Sequence, residues 1–302
     1  MYQKILLTGI NGQVGHSLQV ALQASQFPTE LIALDRTQLD LANAEQIREV
    51  VRTIQPDLII NPAAYTAVDK AESEYDLAYS INAIAPGILA EEAARLNAKL
   101  IHFSTDYVYN GRKLEAYQED DATQPLSVYG KTKLAGEEAI RPVGIPHLIF
   151  RTAWVYGAYG KNFMKTILRL ASEQETLYIV ADQMGTPTSS NAIAEAMMQI
   201  LQQGDFKVSG VYHLVNSGQA SWFEFAQAIV EESNMLRQRE GKTGLLVKHI
   251  QPISTDQYPT PARRPANSLL DTGKLLQDFD IEMPHWRESL IKELSSLHAS
   301  NL

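Results

Sequence analysis

Residues 4–15 read Lys-Ile-Leu-Leu-Thr-Gly-Ile-Asn-Gly-Gln-Val-Gly, so an apolar run leads directly into three spaced glycines. Gly9 would permit a tight turn, Gly12 would let the backbone approach a pyrophosphate, and Gly15 would allow close contact between a strand and the next helix. Gln13 and Val14 would begin that helix, whose first N–H groups are free to bind phosphate oxygens. The stretch predicts a dinucleotide-binding loop, although a tight strand–helix turn without a ligand has the same composition.

The first half of the chain alternates short apolar runs with helical segments. Continuous apolar strands that alternate with helices are typical of parallel βαβ units whose sheet is covered on both faces. Connections between parallel strands are right-handed. We therefore predict an α/β fold with a doubly wound, Rossmann-type parallel sheet. Strands are expected at 4–8, 31–35, 57–61, 99–104 and 147–152, and helices at 13–24, 44–55, 80–96 and 129–141.

The pattern loosens after residue 153. Ser221 and Glu224 have the form of a capping box, which predicts a helix from there to about Leu236. We expect a dinucleotide-binding domain at 1–153 and a smaller C-terminal α/β substrate lobe at 154–302, with some segments returning to the main sheet. Further helices are predicted at 162–172, 191–203 and 286–298, a strand at 245–250 and a loop at 256–265.

Composition excludes several classes of protein. The 302 residues are 45% hydrophobic and 20% charged, with a formal net charge of -9, which argues against general binding to nucleic acid or to an anionic membrane. There is no cysteine, so disulfides and thiolate metal sites are impossible. No apolar run reaches the roughly 18 residues of a membrane span. We expect a cytoplasmic protein that acts on a small molecule as a monomer or homodimer.

The second strand ends in side chains that suit a cofactor ribose. The glycine spacing, G-x-x-G-x-x-G, departs from the usual G-x-G-x-x-G, but Asp35 follows at the distance expected of the ribose-binding acid. Aspartate suits the free 2′-hydroxyl of NADH, whereas Arg36 suits the 2′-phosphate of NADPH. The sequence leaves both cofactors open. Asp40 and Leu41 would lie near the adenine, unless Asp40 is only a turn residue.

The exit of the third strand is rich in small residues. Residues 61–66 read Asn-Pro-Ala-Ala-Tyr-Thr. Ligands of open α/β sheets lie outside the carboxyl ends of the strands. Ala63, Ala64 and Tyr65 would let the nicotinamide half of the cofactor pass over the sheet. An ordinary proline-containing strand exit remains the alternative.

Tyr129 and Lys133 lie four residues apart on a predicted helix. Residues at this spacing share one helix face. A free tyrosine has a pKa of about 10, and an ammonium beside it favours the phenolate, which would bring that pKa toward neutral. Thr105, at the end of the fourth strand, could donate a hydrogen bond to a substrate carbonyl. The three residues predict a proton donor with a tuning cation, although many tyrosine–lysine pairs at this spacing are accidental.

With these motifs, the chain resembles the extended short-chain dehydrogenase/reductase superfamily over nearly its whole length. Within it, the chain is most similar to the dTDP-4-dehydrorhamnose reductases. The first-half motifs identify only the superfamily, and the later ones, which fall in the substrate lobe, are more specific. The resemblance is carried by 8–15, VDKAE at 68–72, STDYVY at 104–109, YGKTKLAGE at 129–137, RTAWVY at 151–156, NF at 162–163, DQMGTPT at 182–188 and PARRP at 261–265.

The resemblance implies a reaction. NADPH or NADH would reduce the C4 keto group of dTDP-4-dehydro-6-deoxy-L-mannose, also called dTDP-4-dehydro-L-rhamnose, and give dTDP-L-rhamnose, a precursor of cell-surface polysaccharide. Tyr129 would protonate the alkoxide, Lys133 would tune that proton and hold the cofactor ribose, and Thr105 would polarise the carbonyl. Asp106 and Trp154 would contact the sugar.

The resemblance also bears on a basic loop and on metal binding. Arg263 would bind the diphosphate, because a guanidinium meets phosphate in a bidentate fork; a solvated loop is the alternative. Some relatives bind a divalent cation between subunits through acidic residues. Here the corresponding places hold His16-Ser17 and Asn191, and only Glu293 remains. We therefore expect no metal.

Other activities of the superfamily remain as alternatives. Nucleotide-sugar dehydratases have an acidic pair after the threonine, but here Asp106 is followed by Tyr107, so the second acid is missing. Another nucleotide-sugar epimerase or reductase stays open. A non-catalytic regulatory subunit that binds NADP would also retain Thr105, Tyr129 and Lys133.

Overall fold

The computed structural model describes residues 2–25, 29–204, 206 and 208–299. The strands are β1 Lys4–Leu7, β2 Glu30–Ala33, β3 Leu58–Asn61, β4 Lys99–Thr105, β5 His147–Thr152, β6 Val155–Tyr156, β7 Thr176–Val180, β8 Met184–Gly185, β9 Thr188–Ser189, β10 Gly210–His213, β11 Ala220–Ser221 and β12 His249–Ile253. The helices are α1 Gln13–Ala24, α2 Ala44–Ile54, α3 Val68–Ala71, α4 Tyr75–Tyr79, α5 Ala85–Leu96, α6 Val128–Ile140, α7 Phe163–Glu173, α8 Ser190–Gln202, α9 Trp222–Arg239, α10 Gly273–Phe279 and α11 Trp286–Ala299.

The central sheet is parallel throughout and has the order β2-β1-β3-β4-β5-β10. The strand order reverses between β1 and β3, and open α/β sheets bind their ligands at such a switch point, outside the carboxyl ends of the strands. The glycine loop follows β1, and residues 61–66 follow β3. The predicted doubly wound fold is confirmed, and it places both segments at the switch point.

Neighbouring residues of one strand supply the cores on opposite faces of the sheet. Leu7 and Ile60 point toward α1 and α8, in a core that includes Leu18 and Met197. The other face packs against α2 and α5. Apolar strands with both faces buried need this double cover, because a bare face would leave apolar surface in water. The second core includes Leu6, Ile59, Leu100, Ile47, Val51 and Leu89.

The C-terminal half contributes a strand to the central sheet and also forms a hydrophobic core of its own. Strand β10 pairs with β5, for example Val211 with Ile149, and thereby completes the central sheet. A separate core joins α7, α9 and α11 and contains Phe225, Ile229 and Leu290. The capping box of Ser221 and Glu224 is present and begins α9, as predicted.

Two predicted elements differ from the structure. The strand expected at 245–250 is displaced, since the paired residues are His249–Ile253 and overlap the prediction only at 249–250. Leu245 and Val247 instead pack their side chains against the α7–α9 core. The helix expected at 80–96 opens with a π-helical turn, Ser80–Ile84. Pro86 follows in the first turn of α5, where its missing N–H costs little.

In the described part of the chain, no helix combines the length and the apolar composition that a membrane crossing requires.

Candidate active site

An open cleft of about 770 Å³ lies at the carboxyl ends of β1, β3, β4 and β5. Of the site residues predicted from sequence, Asp35 and Arg263 do not line it. All the other predicted site residues line the cleft, so the fold brings together segments that are far apart in the chain. The predicted residues that line it are Gly9, Gly12, Gln13, Val14, Gly15, Arg36, Asp40, Leu41, Ala63, Ala64, Tyr65, Thr105, Asp106, Tyr129, Lys133 and Trp154.

The glycine loop forms a cradle of backbone. Gly9 has a φ of +63°, and a Cβ there would lie 2.8 Å from Ala63. The Gly12 N–H donates to Gly9 O at 2.9 Å and closes the turn. Gly12 caps α1 without a side-chain hydrogen bond, so the first N–H groups of the helix stay available. An open cradle of N–H groups at the positive end of a helix fits a pyrophosphate.

Gly15 provides the sharpest test of this cradle. A Cβ at this residue would lie 2.2 Å from Gly9 O. Because Gly9 O belongs to the backbone and a Cβ has no rotamer with which to avoid it, Gly15→Ala must shift α1 away from the loop, at a cost of about 1–3 kcal/mol. We expect a lower Tm and weaker NADPH binding, measured by thermal unfolding and fluorescence titration. Gly244→Ala, an exposed residue away from the cleft, is the control; equal effects of the two substitutions would contradict this role of Gly15.

The two ribose candidates are placed differently. The carboxylate of Asp35 accepts hydrogen bonds from the hydroxyl of Thr37 at 2.6 Å and from Asn11 at 3.3 Å. The Thr37 bonds hold the pKa of Asp35 below its ordinary value. Arg36 lines the cleft, is largely exposed, and lies 3.8 Å from Asp40. The carboxylate of Asp35 thus already has hydrogen-bond partners within its turn, whereas the exposed guanidinium of Arg36 makes only a long ion pair with Asp40.

The segment after β3 is held by a buried amide. The N–H of Tyr65 donates to Asn82 Oδ1 at 2.8 Å, and Asn82 Nδ2 donates to Tyr65 O at 3.1 Å. Asn82 lies in the π-helical turn and is fully buried. Its two bonds fix the chain at Tyr65, so that Ala63 and Ala64 form a smooth floor of the cleft.

Close packing brings Tyr129 to Thr105. Ser127 caps α6, and Tyr129 lies in the first turn of that helix. A Cβ on Gly130 would lie 2.2 Å from Tyr107 O, so α6 packs directly on the segment that follows Thr105. The hydroxyl of Thr105 lies close enough to the phenol of Tyr129 to oppose the rise in its pKa. Two hydroxyls that meet at the edge of the cleft can together bind a carbonyl oxygen.

The expected lowering of the Tyr129 pKa is wrong for this structure. Burial raises the pKa of Tyr129 to about 12, and the Thr105 hydroxyl only partly opposes that rise. Asp106 raises it further. The ammonium of Lys133 points elsewhere, and a tyrosine with this pKa stays protonated at neutral pH.

Lys133 is almost completely buried. Its Nζ donates to Phe103 O at 2.6 Å and lies 3.3 Å from His102 Nε2. Burial lowers the pKa of Lys133 to about 8, and Glu137, one turn further along α6, opposes this. The ammonium is therefore fixed to the backbone of β4 at the edge of the cleft.

Two buried oxygens beside the tyrosine lack hydrogen-bond partners among the described residues. They are Asp106 Oδ2 and Thr152 Oγ1. Asp106 Oδ1 accepts from the hydroxyl of Thr105 at 2.9 Å. Burial raises the pKa of Asp106 to about 6, and hydroxyls near it oppose the rise. Unpartnered buried oxygens are costly, and here they lie at a cleft where a ligand could supply partners.

Trp154 forms the wall of the cleft on the C-terminal side. Its φ of +48° is unusual for a bulky residue. Its ring stacks on Trp222 at 3.5 Å with an interplanar angle of 8°, and Gly185 lies beneath it, where a Cβ would approach within 2.4 Å. Trp222 in turn donates to Gln183 at 3.2 Å. These contacts hold the indole in place despite its strained backbone.

The structure separates the two arginines of the basic loop. Arg263 is exposed and makes no hydrogen bond or ion pair with the described residues. Arg264 forms an ion pair with Asp69 at 3.0 Å and lies close enough to Tyr107 for its charge to oppose the rise in the pKa of that phenol. The ring of Tyr107 meets Tyr129 edge-on, with centroids 5.5 Å apart. Arg264, rather than Arg263, therefore lies beside the catalytic candidates.

The residues considered for a metal have other partners. His16 stacks on Tyr159 at 3.7 Å, and Ser17 bonds to Ser190 at 2.9 Å. Glu293 is buried and accepts from Ser189 at 2.5 Å and from the N–H of Ala158 at 2.9 Å. Its carboxylate thus joins α11 to the chain around α8. The absence of a metal stays a prediction.

Sequence reasoning missed part of the cleft. Gly160 and Lys161 line it near the glycine loop, where Gln13 Nε2 donates to Val155 O at 3.2 Å and Asn162 donates to Gln13 Oε1 at 2.9 Å. In the sequence, two glycines at 157 and 160 that precede the helix-capping Asn162 could have indicated this loop.

Comparisons with known proteins agree with this geometry. The family model described as the RmlD substrate binding domain matches residues 3–298. A dTDP-4-dehydrorhamnose reductase of Burkholderia thailandensis is 45% identical over 291 residues, covering 94% of this chain and 95% of the relative.

Solved structures give the same result. A dTDP-4-dehydrorhamnose reductase of Clostridium acetobutylicum has a TM-score of 0.89 and 38% identity, covering 98% of this chain and 100% of that chain. The one of Bacillus anthracis, solved in complex with NADP, has a TM-score of 0.88 and 37% identity over the same shares. The chain belongs to the dTDP-4-dehydrorhamnose reductase family of NAD(P)H-dependent oxidoreductases.

Proposed function

We propose that the chain reduces the C4 keto group of dTDP-4-dehydro-6-deoxy-L-mannose to give dTDP-L-rhamnose, with Tyr129 as the proton donor. The observation that carries the proposal is the meeting of Thr105 and Tyr129 at the edge of the cleft that contains the glycine loop. The names of the relatives support the choice of sugar nucleotide.

The cofactor would lie across the switch point of the sheet. The N–H groups at the start of α1 would bind its pyrophosphate, with Gly12 letting the backbone approach it and Gly15 letting α1 pack against the loop. Ala63 and Ala64 would support the nicotinamide half. The bound nicotinamide supplies the hydride. Lys133, fixed to Phe103 O, would direct a remaining N–H at the cofactor ribose.

The proton would come from Tyr129. Its raised pKa, about 12, keeps the phenol protonated at neutral pH, and a sugar alkoxide is a still stronger base. The Thr105 hydroxyl would bind the same oxygen and polarise the carbonyl. Thr105 donates its single hydrogen to Asp106 at 2.9 Å. When the sugar binds, that hydrogen would turn toward the carbonyl, and Asp106 would accept from a sugar hydroxyl instead. The stacked indoles of Trp154 and Trp222 would bound the sugar on the other side.

The deciding experiment is an assay with purified protein and dTDP-4-dehydro-6-deoxy-L-mannose. We expect stoichiometric loss of NADPH or NADH and formation of dTDP-L-rhamnose, identified by NMR. An epimerase would interconvert sugars without net loss of reduced nicotinamide. A regulatory subunit would bind the cofactor without turnover. Either outcome would overturn the proposal.

Arg36 is proposed to recognise the 2′-phosphate of NADPH, because it is exposed and lines the cleft. Loss of a charged hydrogen bond weakens binding by about 1.5–3 kcal/mol, or roughly 10- to 100-fold. We expect Arg36→Ala to raise the KM for NADPH by that factor and to leave the KM for NADH nearly unchanged. Arg169→Ala, an exposed arginine on α7, is the control. An unchanged preference for NADPH would exclude this role.

A further inference from the structure

A chain of buried polar side chains crosses the sheet and ends at Lys133. Thr8, which directly precedes Gly9, bonds through Oγ1 to Asn61 Oδ1 at 2.7 Å. Asn61 Nδ2 lies 3.1 Å from His102 Nδ1, and His102 Nε2 lies 3.3 Å from Lys133 Nζ. All four residues are at most 2% exposed. The glycine loop and the catalytic lysine thus contact opposite ends of one network.

The network follows from strand register. Asn61 ends β3 and pairs with His102 on the neighbouring β4. Thr8 follows β1, which lies on the other side of β3. Adjacent parallel strands hold side chains in register on one face, so three strand ends align their polar groups in a row. The row leads to the face covered by α6, where Lys133 enters.

The charge of Lys133 decides the direction of these hydrogen bonds. An ammonium only donates, so His102 Nε2 must accept and the imidazole proton must lie on Nδ1. Burial and the charge of Lys133 hold the pKa of His102 well below its ordinary value, which keeps the ring neutral. This tautomer requires the carboxamide of Asn61 to be turned over, so that its oxygen accepts from Nδ1–H and its amide donates to Thr8 Oγ1; the two orientations of a carboxamide occupy the same space.

We propose that His102 is a positioning residue that, through Nε2, holds the ammonium of Lys133 in the orientation that binds the cofactor ribose. Lysine has a flexible four-carbon stem and three donors. Phe103 O and His102 Nε2 occupy two of them. The third is then the only one left to point at a ligand in the cleft. Without His102, the ammonium keeps one fixed contact and can rotate about it.

This inference rests on the proposed function, but cofactor binding tests it separately. Three variants are compared: His102→Gln, whose amide reaches the place of Nε2; His102→Asn, which reaches only the place of Nδ1; and His102→Met, which fills the volume without an acceptor of comparable strength. We expect the Kd for NADPH, measured by fluorescence titration, to rise by about five- to tenfold in the Asn and Met variants. The Gln variant should stay within about twofold of wild type.

A role in packing alone predicts a different order. Met would then bind NADPH like wild type, because it fills the space, and that result would overturn the proposal. A Gln variant that loses as much affinity as Asn would also overturn it. Tm values for each variant separate a loss of fold from a loss of affinity. If wild type binds NADPH but shows no turnover, the proposed function fails while the comparison of Kd values still stands.

The tautomer gives a second test, which is measured on the wild-type protein. In protein with ¹⁵N-labelled histidine, the nitrogen shifts report which ring nitrogen carries the proton. We expect His102 to be neutral with the proton on Nδ1, the signal being assigned by its absence from His102→Gln. A proton on Nε2 in wild type would contradict the proposed acceptor role.

Discussion

Replacing Tyr129 by phenylalanine is expected to lower kcat by about 10²- to 10⁴-fold, the range that a positioned general acid contributes. The phenol lies beside the Thr105 hydroxyl at the edge of the cleft. The change removes one oxygen and leaves the ring, which also packs edge-on against Tyr107. We therefore expect the fold and NADPH affinity to stay close to wild type. Steady-state kinetics and cofactor titration measure the two quantities.

Tyr178→Phe is the matched control, because Tyr178 is 64% exposed on β7 and lies outside the cleft. It should leave kcat unchanged. Near-normal turnover of Tyr129→Phe would remove Tyr129 as the acid and would leave the Thr105 hydroxyl or water as the proton source. A loss confined to KM would assign the phenol to substrate binding.

The second large effect is expected at Arg151, which is 1% exposed. Its Nε and Nη2 donate to Glu137 at 2.9 and 2.7 Å, and its Nη1 donates to the hydroxyl of Tyr109 at 2.6 Å. Burial alone would raise the pKa of Glu137, but the bonds from Arg151 hold that pKa below its ordinary value. Glu137 also accepts from Ser104 at 2.6 Å. The pair joins α6 to β4 and β5, the elements that carry the proposed catalytic residues.

Arg151→Met should lower the free energy of unfolding by about 3–5 kcal/mol, because it leaves a buried carboxylate without its main partner. We expect the lower end of that range, since Arg141 also contacts Glu137, at 2.7 Å. Urea unfolding measures the change. In the control, Arg169→Met, the pair with Glu173 is more than half exposed, so the loss should stay below about 1 kcal/mol.

A double variant tests whether the unpaired carboxylate of Glu137 causes the loss of stability. Arg151→Met combined with Glu137→Met removes both charges, and replacement of a whole buried pair is often nearly neutral. We expect it to be more stable than Arg151→Met alone, although Ser104 loses a partner. Equal stability of the single and double variants would show that the unpaired carboxylate is not the source of the loss.

Local patterns predicted much of the fold and of the cleft. The glycines at 9, 12 and 15 and the strands that precede the cleft follow from nearby residues, because turn chemistry and apolar runs act over a few positions. The grouping of Tyr129 and Lys133 with Thr105 was predicted from a four-residue helical spacing and from the strand end at Thr105. These features needed no knowledge of distant contacts.

The features that were predicted wrongly or not at all depend on contacts between residues that are distant in the sequence. The pKa of Tyr129 depends on burial by the surrounding fold, which no local pattern reports. Nothing in the sequence marks Arg151 and Glu137 as buried, since arginine and glutamate are usually exposed. The positive φ of Trp154 is held by its stack on Trp222. The apolar residues at 245–247 predicted a strand because side-chain packing and strand pairing call for the same residue types.

The return of β10 to the central sheet has a consequence for biosynthesis. A ribosome releases residues 147–152 well before residues 210–213, so the outer edge of β5 stays unpaired while α7 and α8 are made. Such an edge offers a row of free N–H and C=O groups, and Leu148 and Phe150 beside it are apolar. Unpaired edges of this kind recruit other strands and promote aggregation. We infer that nascent chains that stop before Gly210 are prone to aggregate. The two halves of the chain would then fold together rather than one after the other.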